Sequence, residues 1–233
     1  MTVPAIQAHR GSADLALGIR ENTIEAFVRA QLLGANGVEL DVRRSADGAL
    51  VVHHDAVIRG VGPVHEVASG QLPESVALLP AVLEACDGLE VNIELKNLPG
   101  EPGFDPDDAM ARQVADLVVA AGRVSTVVIS SFWPGSLTAV REARSELATG
   151  LLLAHWFDGA EGVALAVEHG CTALHPHVSL VDAALMVEAH RAGLAVAAWT
   201  VNEPRQVDHL ATLGVDTVIT DDVTAAVAAL GGR

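Results

Sequence analysis

Short apolar runs rich in β-branched residues recur along the chain, and each is followed by a stretch whose apolar positions repeat every three or four residues. AIQAH (5–9), GVELDV (37–42), VNIEL (91–95), TVVISS (126–131), ATGLLLA (148–154), TALHP (172–176), AVAAWTV (195–201) and DTVIT (216–220) read as buried strands. Between them, amphipathic helices are predicted at 21–34, 79–88, 105–122, 133–144, 158–170, 181–193 and 203–214. Several of these stretches close on glycine, the residue that most readily takes the left-handed conformation after a last helical turn.

Mainly apolar strands separated by helices imply a parallel sheet covered on its faces. Eight such units close naturally into an α/β fold of the (β/α)8, or TIM-barrel, type. One segment breaks the alternation: DVRRSADGALVVHHD (41–55) joins two extended runs through Asp47-Gly48 with no room for a helix. An Asp-Gly turn between β patterns predicts a short β-hairpin excursion after the second strand, returning to the same barrel end. No long linker, low-complexity tract or short repeat interrupts the chain, so residues 1–233 are expected to form a single barrel domain.

Composition narrows the partners. Half of the residues are hydrophobic, enough for one sizeable core, yet no apolar run reaches the roughly 18 residues that span a bilayer. The N-terminal MTVPAIQAHRG lacks a basic segment followed by an apolar one, so no secretion signal is expected. Cys86 and Cys171 form no CxxC pair and read as buried, unpaired thiols, which fits a cytoplasmic protein. A net charge of −16 disfavours nucleic acid and anionic membranes as partners. A phosphate-bearing substrate would therefore need a few placed cations or a metal. Lys96 is the chain's single lysine and ends an apolar strand pattern, which suggests a specific task.

In such a barrel, catalytic groups collect at the strand C-termini. Those ends carry His9 and Arg10, Glu39 and Asp41, Glu94 and Lys96, Ser130 to Phe132, His155, His175, Trp199 with Asn202, and Thr220 with Asp221. The hairpin brings His53, His54 and Asp55 to the same rim. Glu39 and Asp41, at i and i+2, share one strand face, and Glu94 ends the next barrel strand. Three converging carboxylates call for a cation, and an all-oxygen site favours Mg²⁺ or Ca²⁺ over Zn²⁺. His9 and His54 flank that rim from opposite sides and suit general acid–base work near neutral pH. Arg10 and Lys96 offer positive charge to phosphoryl oxygens. The combination describes phosphodiester cleavage.

AHRG, ENT, VELD, DG, VVHHD, IELK, SSF, WTVN and GVDTVITD occur in this order, and the set resembles the glycerophosphodiester phosphodiesterase family over essentially the whole chain. These enzymes are similar in fold to the phosphatidylinositol phospholipase C type of TIM barrel. The resemblance implies His9 and His54 as the acid–base pair, Glu39, Asp41 and Glu94 as metal ligands, and Arg10 and Lys96 as phosphate-binding residues. It further implies Asn22 as a support of the site, and Phe132 and Trp199 as apolar pocket walls. Arg20 stands before ENT where the family usually has proline, and the stretch from Asp55 to Pro80 is short beside the family's usual insertion. The shortening bears on alcohol-side specificity and leaves the core motif intact.

The expected activity is metal-dependent hydrolysis of a small-molecule glycerophosphodiester to glycerol 3-phosphate and an alcohol, through a cyclic phosphate formed by the glycerol 2-hydroxyl. A lysophospholipase D acting on a lipid would show an exposed apolar lip around Phe132, Trp133 and Trp156. A non-catalytic phosphate- or metal-binding barrel would lack a motif residue, and none is missing. A zinc amidohydrolase built on His53, His54, His175 and His177 would want an HxH in its first strand, where this chain has HRG.

Overall fold

A computed structural model describes residues 3–231. Eight parallel strands form the barrel: β1 (Ala5–Ala8), β2 (Gly37–Arg44), β6 (Glu90–Leu95), β7 (Val127–Ser131), β8 (Ala148–Leu153), β9 (Ala173–Pro176), β10 (Ala195–Ala198) and β11 (Thr217–Thr220). Each hydrogen-bonds its sequence neighbour in the barrel. Closure comes from β1, which pairs with β11 in the register Ala8↔Thr220 and with β2 in the register Ala8↔Val38. Helices α1 (Ile24–Leu32), α2 (Leu79–Ala85), α3 (Ala109–Ala120), α4 (Pro134–Ala143), α5 (Gly159–Glu168), α6 (Ala183–Arg191), α7 (Pro204–Leu213) and α8 (Val223–Leu230) follow the strands in turn.

Strand parity explains the two layers. Alternate residues such as Val38, Leu40, Val42, Val91, Ile93, Val196 and Val218 pack outward into one core with Phe27, Val82, Val114 and Leu137 of the helices. The opposite parity faces the barrel interior and is unusually polar: Gln7, Glu39, Asp41, Asn92, Glu94, Ser130 and His175 are all buried. At Gly150 a Cβ would lie 2.5 Å from His175 Nε2, so glycine makes room for that ring inside the barrel.

The hairpin forms as expected. β3 (Leu50–Val52) pairs antiparallel with the extension of β2, in the register Val42↔Val52 and Arg44↔Leu50. The His53 N–H then bonds Asp41 O at 2.9 Å, which brings the next residues back over the barrel mouth. A second, minute ribbon of β4 (Val57–Ile58) and β5 (Gly62–Pro63) follows, unannounced by any periodicity. β10 stops at Ala198, three residues short of the AVAAWTV pattern, although Val201 N still bonds Ile219 O.

Candidate active site

The interior parity that begins on each strand continues past its C-terminal end, which is why the chemistry-bearing side chains meet. A cavity of about 210 Å³ at this mouth is lined by His9, Arg10, Glu39, His54, Asn92, Glu94, Lys96, Phe132, Leu152, Trp199 and Ile219. The residues given a role by the resemblance line it except Asp41, which is fully buried, and Asn22, which is buried against Asp41.

The carboxylates converge. Oxygen atoms of Glu39, Asp41 and Glu94 all lie within 4.8 Å of one another, and no other such cluster of three possible metal ligands occurs among the described residues. Burial, with Asp41 and Glu94 alongside, pushes the Glu39 carboxyl up to about 8. Burial also raises Glu94, against the opposing pull of Lys96. Asp41 is desolvated too, but the Lys96 and Arg10 charges and the Asn22 hydrogen bond hold it below the usual carboxylate range. Glu39 Oε1 is buried with no hydrogen-bond donor. Asp41 Oδ1 has Lys96 Nζ at 3.0 Å but outside hydrogen-bonding geometry. Buried oxygens left short of donors, in a cluster resisting full ionisation, fit a divalent cation with oxygen ligands.

The cations touch the same cluster. Lys96 Nζ meets Glu94 Oε1 at 2.5 Å as well as Asp41. Arg10 donates its backbone N–H to Glu39 Oε2 at 2.9 Å, while its guanidinium reaches Glu21 at 3.0 Å and Asp41 at 3.3 Å. Arg10 and Asn22 both occupy the left-handed backbone region, with φ of 56° and 57°. That conformation is unfavourable for side chains with a Cβ and is held here by the surrounding contacts. Asn22 N–H bonds Arg10 O at 2.9 Å, and Asn22 Nδ2 donates to Asp41 Oδ2 at 2.7 Å.

His9 and His54 each have a carboxylate on Nδ1. His9 Nδ1 lies 2.7 Å from Asp221 Oδ1, leaving Nε2 toward Glu39 at 4.0 Å. Asn202 secures Asp221 in turn: its Nδ2 donates to Asp221 Oδ2 at 2.7 Å and its Oδ1 accepts from the Asp221 N–H at 2.9 Å. Burial pulls the His9 pKa down, but the Asp221 hydrogen bond and the Glu39 charge outweigh it and the net direction is up. His54 Nδ1 lies 2.7 Å from Asp55 Oδ1. Phe132 and Trp199 meet edge to face at 5.6 Å, and Trp199 Nε1 donates to His175 O at 2.7 Å.

Asp221 and Asn92 are the site contributors that motif reading left without a role. Parity offered a signal for both: Asn92 stands two residues before Glu94, and Asp221 follows β11 as His9 follows β1. The other histidines diverge from a metal-binding arrangement. His175 is buried beside Asn92, with 3.5 Å between Asn92 Nδ2 and its Nδ1, and His177 Nδ1 pairs with Ser179.

His175 gives a test of the barrel interior. Burial alone pushes its pKa down to about 4 from an ordinary 6.5. Between those values the unfolded chain binds the proton and the folded chain does not, so stability rises with pH across that window. Acidification from pH 6.5 to 4 is expected to remove on the order of 3 kcal/mol. Urea unfolding at several pH values checks this, and His175→Gln should flatten that part of the profile. An equally steep profile in the variant would assign the loss elsewhere.

Residues 9–225 match the Glycerophosphoryl diester phosphodiesterase family. A glycerophosphodiester phosphodiesterase of Caldanaerobacter subterraneus subsp. tengcongensis is 30% identical over 236 residues, covering 92% of this chain and 93% of its own. The solved glycerophosphodiester phosphodiesterase of Thermotoga maritima superposes with a TM-score of 0.77 at 26% identity, covering 98% of this chain and 99% of that one. A phosphodiesterase of Oleispira antarctica, solved with the product sn-glycerol-3-phosphate, shares the fold with a TM-score of 0.80 at 22% identity, covering 98% and 97%. With a match that runs from His9 to the last helix, and a relative aligned nearly end to end, this chain belongs to the glycerophosphodiester phosphodiesterase family and is a phosphoric diester hydrolase.

Proposed function

We propose that the protein hydrolyses glycerophosphodiesters to sn-glycerol 3-phosphate and an alcohol, with His9 and His54 as the proton-transfer pair. The observation that carries this reading is the 210 Å³ cavity, where both imidazoles, two cations and two of the three clustered carboxylates share one wall system. The product bound by the Oleispira antarctica relative supports the glycerol phosphate side of the substrate.

Glu39, Asp41 and Glu94 would hold one divalent ion, Mg²⁺ or Ca²⁺ by the hardness of the donors. When bound, it would supply Lewis-acid stabilisation of charge on the phosphoryl group. Arg10 contributes positive charge at the same wall, and Lys96 balances Asp41 and Glu94 while bordering the cavity, so both bear on a bound phosphate. Phe132 and Trp199 give the cavity its apolar side and exclude water from the reacting groups.

The reaction then proceeds in two displacements. The glycerol 2-hydroxyl gives its proton to one imidazole as its oxygen bonds to phosphorus, and the other imidazole protonates the departing alcohol oxygen. Water opens the resulting cyclic phosphate with the two histidines exchanging roles, which restores both protonation states.

A lysophospholipase D reading draws on one feature of the rim. Ring contacts run from Phe132 to Trp199, His177, His155 and Trp156, and Trp156 is 73% exposed. Phe132 and Trp133 are half-buried rather than exposed, and Trp133 packs on Phe104, so Trp156 is the most exposed part of that lip.

No helix of the described residues is long and apolar enough to cross a membrane. A cytoplasmic location is part of the same proposal, supported by the two buried free thiols Cys86 and Cys171.

A panel of glycerophospho-alcohols and lysophospholipids, assayed with and without chelator, tests the reading. Water-soluble glycerophosphodiesters should turn over, activity should vanish on chelation, and Mg²⁺ or Ca²⁺ should restore it. Full turnover in excess chelator, with no metal by elemental analysis, would remove the metal role. Activity confined to lysophospholipids would favour the lipid reading.

A further inference from the structure

One buried cation near the site has no part in the chemistry above. Glu39, Asp41 and Arg43 alternate along β2 on one face, so Arg43 is the next inward position beyond the two acidic ones. It retains 7% of its surface. Its Nε donates to the backbone carbonyl of His54 at 2.7 Å, and its Nη2 to Glu101 Oε2 at 3.1 Å. Glu101 belongs to the loop between β6 and α3, the loop that follows Lys96.

Burial of this guanidinium is poorly compensated. One partner is a neutral carbonyl, and the other is a carboxylate whose side chain is 36% exposed. Such an arrangement recovers little of the desolvation cost, and an apolar side chain of similar volume commonly serves stability as well or better. What the guanidinium does reach is the point where hairpin pairing runs out. β3 ends at Val52, the His53 N–H returns to Asp41, and the His54 ring leans on Asp55, whose side chain is 71% exposed. The fork geometry of arginine lets one side chain grip the His54 backbone and the opposite loop together.

We propose that Arg43 is a positioning residue for His54, clamping its backbone carbonyl to the β6–α3 loop so that the imidazole stays at the cavity wall. This rests on the role assigned to His54 in proton transfer. Arg43 touches neither substrate nor reacting atoms in this scheme; it acts through His54.

A double-mutant cycle distinguishes positioning from general support. With a glycerophosphodiester of an unactivated alkyl alcohol, whose departure requires a proton, Arg43→Met is expected to lower kcat by roughly 10- to 100-fold with KM changed by less than about 3-fold, as for a displaced catalytic group. In a His54→Ala background the same substitution should cost less than about 3-fold, because the group it positions is gone. Guanidinium ion should partly restore Arg43→Ala, entering beside the adjoining cavity of about 160 Å³ that Arg43, Lys96 and Asn97 line. Equal fold-losses in the two backgrounds, or full kcat in Arg43→Met, would overturn the proposal. If Arg43→Met does not fold, the cycle is run with Arg43→Lys, which keeps the charge and loses the fork, and the same two outcomes decide. Near-native turnover of His54→Ala alone would instead refute the assignment of His54, and this inference with it.

Discussion

His9→Ala is expected to lower turnover by roughly 10²–10⁴-fold, the usual contribution of a general acid or base, while thermal unfolding stays close to that of the parent protein. His9 follows β1 at the barrel mouth, outside the apolar core, so its removal leaves the helix–strand packing untouched. His54→Ala should behave likewise, since its ring sits on the rim against Asp55. Asp221→Asn adds a sharper discrimination. Asp221 accepts from His9 Nδ1 at 2.7 Å, which fixes the tautomer that leaves Nε2 free toward the cavity. An amide there can present a donor to Nδ1 and favour the wrong tautomer, so a large kcat loss with unchanged fold is expected. Asn202→Ala, which frees Asp221 on its other side, should cost less than Asp221→Asn. Steady-state kinetics with saturating divalent metal, alongside thermal melts, check the set. Near-native turnover of His9→Ala under conditions where chemistry limits the rate would make that imidazole a bystander.

Much of this architecture was legible because two periodicities of the chain are strong. Strand and helix alternate along the chain except at residues 41–55, where the Asp47-Gly48 turn marks the excursion as a hairpin. Parity then does the rest: Glu39, Asp41 and Glu94 sit at inward positions, so an ExD and an ExK on adjacent strands had to meet near the mouth. What escaped depends on closure or on very short segments. Nothing local in TDD says that Asp221 faces His9; that follows from the Ala8↔Thr220 register, a contact between the two ends of the chain. β4 and β5 have two residues each, too few for any period to show. VTAAVAAL, which forms α8, is apolar almost throughout and offers no polar face to mark it as amphipathic. Lys96 and Arg10 were legible as cations of the site. The contact of Arg10 with Asp41 and of Lys96 with Asp41 and Glu94 was not, because it depends on how β1, β2 and β6 are set side by side in register.

A glycerophosphodiester whose glycerol 2-hydroxyl is replaced by hydrogen should bind and barely turn over. On the proposed reading the analogue keeps the phosphoryl group and with it the attraction of Arg10, Lys96 and an ion that the carboxylates would hold, so its inhibition constant should lie near the KM of the parent substrate. It loses the nucleophile. In the proposed scheme this hydroxyl is tethered to the reacting phosphate, so its attack is intramolecular. Well-oriented intramolecular reactions reach effective molarities of about 10⁵–10⁸ M, or about 7–11 kcal/mol of barrier. Removing it should therefore depress turnover by several orders of magnitude, and quenched reactions of the normal substrate should contain a cyclic glycerophosphate that later disappears. His9 and His54 remain in place with the analogue, so a fall in rate cannot be assigned to lost proton transfer. Direct attack by water needs no neighbouring hydroxyl and would hydrolyse both compounds at comparable rates without a cyclic species. Comparable rates would thus eliminate the two-displacement scheme, while the assignment to phosphoric diester hydrolysis, which rests on family membership, would stand unchanged.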